Sequence, residues 1–529
     1  MAESITTSST ILADTTPAPA PKPPLLRRVS FWVTLLVTLA VLSAAVWRFG
    51  AESVFFSVIT IVEVIALFNI LIIVHELGHF LAAKWCGLKI EKFAIWMGKP
   101  IWSKNVDGVD YILGTIPAGG YVALPQMAPM EALEGKSDTP REELPPASPG
   151  QKIIVAFAGP FFSFGLALFF ACIVWMVGKP VSYSEGTTIV GFVVPHNPAD
   201  KAGILPGDKI ISIDGHQIRR FMGMGDSVIW RIVTSTADSI PVVVERGTQT
   251  LTFDVKPERD PEHEHAWYQR SATRKIGIGP AQESLIVKKI LPNSPVLVAG
   301  LQPNDQITQM NGQPIYSGAA IEFWLKDHPT DLITFQILRN GETKTITVQP
   351  EKPIAPTPWP KDAPQTDIGI DEWDNSIKLV YPTPYVQVRE SVEAVTGTLA
   401  ALFASHSNVG ASQLSGPVGI MKIFYDVLSG PYGWRLALWF AVLINVNLAL
   451  LNLFPLPVLD GGHITLAIIE WIRRRPLSMA ILEPLQTACA LLLIGYMVFI
   501  TFFDVQDAGR EALSAGSGEI KFAPKPSSP

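Results

Sequence analysis

Two histidines and a glutamate stand in the pattern His75-Glu76-Leu77-Gly78-His79, inside the apolar run ILIIVHELGHFLAAKW of residues 70–85. On a helix, His75 and His79 lie one turn apart on the same face, so their imidazoles can hold one Zn²⁺ while Glu76 reaches a water on that metal. A charged group near the bilayer centre costs at least about 2.5 kcal/mol, so such residues in an apolar run usually serve a function. Structural histidines are the bland alternative. Catalytic zinc usually takes three protein ligands and leaves one position open, so a third ligand must come from elsewhere. His263 and His265 fall in a large segment outside the apolar runs. In NLFPLPVLDGGH, residues 452–463, an apolar run breaks at Pro455 and Pro457 and then presents Asp460 before Gly461 and Gly462. Non-helical backbone at membrane depth is tolerated only beside protein or a water-filled cavity. Asp460 is the preferred third ligand, with His463 competing from three residues away.

The elements that must position these residues are membrane helices. The chain has 529 residues, 48% hydrophobic and 17% charged, which is too apolar for an ordinary soluble protein and too charged to be membrane throughout. Runs at 30–48, 54–83, 153–178, 434–454 and 480–503 approach the length of about 20 residues that a spanning helix needs. A surface-lying or re-entrant helix is the alternative for the first, which is only just long enough. Arg27 and Arg28, the lysines at 84, 89, 92, 99, 104 and 152, and Arg473–Arg475 fall on one side if all five runs span. The positive-inside rule makes that side cytoplasmic and places residues 179–433 outside. The Ser-, Thr-, Ala- and Pro-rich stretch 1–29 reads as a disordered tail rather than a signal peptide. A net charge of −6 with no basic stripe argues against nucleic acid, and three cysteines supply no disulfide framework.

The external segment repeats itself. AGILPGDKIISIDG (202–215) and AGLQPNDQITQMNG (299–312) agree at six of fourteen positions with a constant offset of 97, and Pro198 and Pro295 extend the match. Each copy follows a β-rich stretch and precedes a helical segment and a strand pair, around Arg246-Gly247 or Asn340-Gly341. Two α+β domains, at 183–258 and 275–350, are the reading. A Pro-rich linker at 350–364 follows, then QVRESVEAVTGTLAALF (387–403), an amphipathic helix for the outer membrane surface or for the repeat domains.

HELGH late in one span, FAGPFFSF (157–164) in the next, PDZ-like repeats, SQLSGPVGI (412–420) and NLFPLPVLDGG together resemble the site-2 proteases, peptidase family M50, in the regulator-of-sigma-E branch with two PDZ domains. The resemblance implies a polytopic α-helical membrane protein of about five spans, four of them in the family core. Its two α+β PDZ-like domains are inserted between a first half at 53–178 and a second at 434–505, with a linker and surface helix at 351–433 and a tail at 506–529. It implies Zn²⁺ on His75, His79 and Asp460, with Glu76 activating water. Asn452, Asn447, Pro455 and Pro457 would contact substrate or hold the active-site backbone, and GTIPAGGYVAL, with Gly119 and Gly120, would form a membrane-associated β-hairpin (108–124) that pairs with substrate. The implied partners are lipid, single-pass membrane proteins already trimmed by another protease, and peptide C-termini at the PDZ-like domains. The implied place is a bacterial inner membrane with those domains outside. Ser163 stands where the family's GPxxN motif has asparagine. A non-catalytic scaffold and a metal transporter are the rival functions.

Overall fold

The computed structural model describes residues 40, 43–47, 50–127, 144–259, 270, 272–356, 363–404, 409–475, 478–515 and 520–525. The expected tail at 1–29, most of the expected extra span at 30–48 and most of the loop at 126–150 lie outside the described residues. The chain divides into a unit that ends at Val62 and a second from Glu63 onward. In the first, the described residues 40 and 43–47 are helical and the stretch from Ala51 begins the first long helix.

The longer helices are α1 (Ala51–Trp85), α2 (Pro149–Val177), α3 (Pro384–Phe403), α4 (Pro417–Ser429), α5 (Gly433–Asn452), α6 (Asp460–Arg473) and α7 (Met479–Ala515). Among the described residues, α1, α2, α5 and residues Leu482–Glu511 of α7 are long and apolar enough to cross a membrane, four spans in all. Local chemistry sets their ends. Ser148 caps α2 by accepting from the Gln151 N–H while its own N–H donates to Gln151 Oε1 at 2.9 Å, and Pro149 fills the first turn. Helix α5 stops ahead of Pro455 and Pro457, which cannot extend its hydrogen-bond ladder, and Asp460 opens α6. Leu71 of α1, Ala167 and Ala171 of α2, Phe424 of α4, and Ala441 and Val446 of α5 form one buried core.

Helix α3 joins this core through Val388 and Val392, and Gln387 donates to the Ala171 carbonyl of α2 at 2.9 Å. Its Glu390 also faces Arg220 of the first repeat at 3.6 Å. The apolar face therefore packs among the membrane helices, and Glu390 beside it reaches the first repeat. The expected C-terminal tail differs too: α7 continues to Ala515, and Phe522 is buried beside Ser294 and Gly369.

Four strands, β1 (Lys92–Met97), β2 (Trp102–Val106), β3 (Val109–Leu113) and β4 (Ile116–Ala123), form a sheet in the order β2-β3-β1-β4. The expected hairpin at 108–124 is thereby corrected: β1 lies between β3 and β4, parallel to the first and antiparallel to the second. The hairpin is β2–β3 instead, turning at Asp107-Gly108, both with positive φ, the conformation that Asp-Gly favours. The chain then crosses the end of β1 at Gly114, where a Cβ would stand 2.3 Å from the Met97 carbonyl oxygen, so only glycine fits. One edge of β4 pairs with β1, and the other ends the sheet.

Each repeat builds its own core. The first collects Val190, Ile210, Ile213, Val228, Val242, Val244 and Ile276, and the second Leu285, Ile307, Ile321, Phe335, Ile337 and Ile368. The boundaries shift from 183–258 and 275–350, because Ile278–Pro280 pairs with Val190–Val193 of the first repeat and Ile370–Trp373 closes the sheet of the second. Both units carry one motif: Arg246 binds Asp208 and the Gly203 carbonyl, and Arg339 binds Asp305 and the Gly300 carbonyl. Asp208 and Asp305 are each 1% exposed. These aspartates and glycines keep the offset of 97, so the repeat read in the sequence is a structural one. Burial pushes the Asp305 carboxyl up, but hydrogen bonds from Arg339 and the Gln302 N–H outweigh it and hold it below its ordinary value. Asp305→Asn is expected to cost the second unit about 2 kcal/mol at neutral pH, read as a lower urea midpoint for proteolysis of that unit in the intact protein. Because the folded value is depressed, this difference is complete above about pH 4 and shrinks as pH falls further.

Candidate metal centre

Helices α1, α2 and α6 meet at one point. His75 and His79 come from α1, and Asp460 from the first turn of α6, folded back beneath α5 by the Pro455–Pro457 break. One ligand atom from each residue lies within 4.8 Å of the others, the only such group of three among the described residues. His75 Nε2 stands 3.2 Å from Asp460 Oδ2, His79 Nε2 3.4 Å from Asp460 Oδ1, and the two Nε2 atoms 3.2 Å apart. The three side chains are only 8%, 12% and 17% exposed. His463 lines the same cavity but lies outside the group, which separates it from Asp460 as a ligand.

The outer atoms of both imidazoles are held as well. His79 Nδ1 is 2.8 Å from the Val155 carbonyl, which can only accept, so the proton sits on Nδ1 and the Nε2 lone pair points inward. His75 Nδ1 is 3.0 Å from Ser163 Oγ, which can accept in the same way. Ser163, met in the sequence as a departure from an asparagine pattern, is fully buried and orients a ligand. Two histidines and a carboxylate on nitrogen and oxygen donors, with their outer atoms fixed, fit a catalytic Zn²⁺ with its fourth position open.

Glycines make the approach possible. A Cβ on Gly159 of α2 would stand 2.2 Å from His79 Nε2 and 2.8 Å from His75 Nε2. One on Gly78 would meet the Ala158 carbonyl oxygen at 2.4 Å, and those on Gly461 and Gly462 would meet the Leu453 and Leu456 oxygens at 2.1 and 2.0 Å. Gly159 lies within FAGPFFSF, where a bare backbone faces the imidazole nitrogens.

A cavity of about 280 Å³ opens beside the three ligands. Glu76, Gly120, Tyr121, Val122, Asn452 and Leu459 are among its walls. Glu76 thus shares a space with the ligand cluster, and its Cγ lies 3.3 Å from where a Gly120 Cβ would be. Of the residues expected to contact substrate, Asn452 and Gly120 line the cavity, whereas Asn447, Pro455, Pro457 and Gly119 are not among its walls. Asn452 Nδ2 is 3.5 Å from His75 Nε2. Asn445, absent from the sequence reading, is fully buried one turn beyond Ala441, whose carbonyl it binds at 2.8 Å.

The sequence model of peptidase family M50 matches residues 63–496, most of the chain. The chain belongs to peptidase family M50. Among curated relatives, a putative zinc metalloprotease of Vibrio cholerae is 30% identical over 448 residues, covering 79% of this chain and 92% of that protein. The regulator of sigma-E protease RseP of Escherichia coli K12 is 28% identical over 463 residues, covering 83% and 97%. Family membership sets the enzyme reading above the scaffold and the transporter. The family match stops at residue 496, short of the end of α7 and of the segment around Phe522.

Two substitutions check the centre. Ser163→Ala is expected to weaken zinc binding roughly 10- to 100-fold by freeing the His75 ring, measured by titration against a competing chelator. Gly159→Ala, which drives a methyl group into the ligand atoms, should leave the protein without stoichiometric zinc by metal analysis, and zinc retained at wild-type level would contradict the geometry.

Proposed function

We propose that this chain is an intramembrane zinc metalloendopeptidase that hydrolyses peptide bonds within or near the spanning segments of single-pass membrane proteins. One observation carries the reading: three side chains able to bind a metal converge beside a glutamate in a cavity that residues of β4, the end strand of its sheet, help to line. His75, His79 and Asp460 would hold the metal. Zn²⁺, when bound, polarises a carbonyl and lowers the pKa of bound water. Glu76 takes the proton from the attacking water on its carboxylate and returns it to the leaving amine nitrogen. Asn452, which also lines the cavity, donates its amide N–H to the substrate backbone.

A substrate helix hides its carbonyls in internal hydrogen bonds and must unwind before attack. The outer edge of β4 offers N–H and C=O groups that replace those bonds, which is strand addition. Gly120 lets that edge approach Glu76 closely, and Pro455 and Pro457 hold the chain out of helix so that Asp460 can turn inward. The two repeats act as PDZ-like domains on the extracytoplasmic side of a bacterial inner membrane, where they hold back bulky ectodomains or engage new C-termini. Substrates are then proteins already shortened by another protease, such as anti-sigma factors in envelope stress signalling. The naming of the Escherichia coli relative and the charge bias of the loops support this reading.

The test compares wild type with Glu76→Gln on a tagged single-pass substrate in membranes. Cleavage is expected to fall roughly 10²- to 10⁴-fold while zinc content stays at wild-type level. Equal cleavage by both would refute the role of Glu76 and with it the mechanism.

A further inference from the structure

The face of α1 that carries the site also carries Asn69, a polar side chain in a helix built to lie in lipid. Asn69 is 7% exposed, and its Nδ2 donates to the Ile65 carbonyl at 2.7 Å. That bond aims Oδ1 at the sheet, where it accepts from the indole Nε1–H of Trp96. Trp96 sits at the bulge of β1, where the register against β4 shifts between Ile95 and Met97. Its φ is +67°, a conformation that glycine takes freely and a bulky side chain rarely adopts.

The pair is anchored next to the reacting groups. Asn69, Ile72 and Glu76 are three and seven residues apart, so they share one face of α1. Ile72 and Glu76 approach the position of a Gly120 Cβ at 3.6 and 3.3 Å, and Gly120 pairs with Ile95, the residue before Trp96. The sheet thus meets α1 along its length: Phe80 packs on Phe93 and Tyr111, Gly120 lies against Glu76, and the hydrogen bond stands two turns before Glu76. Apolar packing is not directional. The indole–amide bond adds a directional tie at the end of the sheet away from Phe80.

We propose that Asn69 and Trp96 are positioning residues that clamp the sheet to α1 and so set the distance between the outer edge of β4 and Glu76. This rests on the reading of β4 as the strand that pairs with substrate. A substrate segment added to that edge is carried by it, and a small shift of the edge misplaces the scissile carbonyl relative to Glu76. Reactions that depend on such alignment lose rate steeply with misplacement. The clamp deforms β1 and places a polar group in a lipid-spanning helix, and leucine at 69 with glycine at 96 would avoid both.

The test uses full-length protein in proteoliposomes with a purified single-pass substrate. Trp96→Phe keeps the ring and deletes the N–H, and Asn69→Leu keeps the volume and deletes the acceptor. Each is expected to lower kcat roughly five- to tenfold, with KM within about twofold of wild type and zinc content unchanged. The double variant should be no slower than the slower single one, as expected for two halves of one contact. Trp96→Gly relieves the backbone but removes both the ring and its N–H, so it should lower kcat at least as far as Trp96→Phe. Wild-type kcat in the single variants, multiplying losses in the double variant, or a Trp96→Gly protein with full kcat would each overturn the clamp. Failure of the underlying mechanism looks different, because Glu76→Gln would then cleave as fast as wild type whatever the clamp variants do.

Discussion

Two imidazoles and a carboxylate must meet inside a lipid-facing helix bundle, and helix backbones with no side chain between them make that meeting possible. Gly159 brings the α2 backbone against the ligand nitrogens, and Gly78 brings the α1 backbone against the Ala158 carbonyl. Gly461 and Gly462 let α6 fold back against the end of α5. With any larger residue at these points the helices would stand apart and the polar groups would face lipid, where their desolvation has no compensation. The close packing of α1, α2 and α6 is therefore a condition of the chemistry.

Around this centre every buried polar group of the ligand set has a partner. His79 gives its outer proton to a main-chain carbonyl, His75 faces a buried hydroxyl, and Asp460 faces both imidazoles. Fixing the outer nitrogen of each ring decides which lone pair points inward, so the rings are arranged for a metal before one binds. The sheet comes close to Glu76 at Gly120 of β4. Its strand order follows from a tight crossover at Gly114 that leaves β1 between β3 and β4, two strands consecutive in the chain.

The two repeat units solve a different problem. Each is a small α+β core, and each locks its β-hairpin to the preceding loop with an arginine that binds a buried aspartate and a glycine carbonyl. Desolvating such an aspartate is costly without a partner that supplies both charge and hydrogen bonds, and the planar guanidinium does so with two nitrogens. Helix α3 packs against both the first unit and the membrane core, through Glu390 on one side and Gln387 on the other.

Much of this was legible in the residues. HELGH puts two candidate ligands and a candidate base on one helix face because a helix repeats every 3.6 residues, and four of the five apolar runs coincide with helices long enough to cross a membrane. The 97-residue offset fixes the duplicated unit. The tertiary structure decided what depends on contacts between distant segments. It brought Asp460, and not His463, into the group with the two imidazoles, since local spacing leaves either side chain free to turn inward. It gave Ser163 and Val155 their places behind the imidazoles, since neither residue type announces a metal. It replaced the hairpin expected at 108–124 by a sheet with β1 in its middle, because a sequence pattern shows strands and turns but not which strand lies between them. It also joined Asn69 to Trp96, a contact no local pattern foretells, because a hydrogen bond across a helix–sheet interface exists only once both elements are packed.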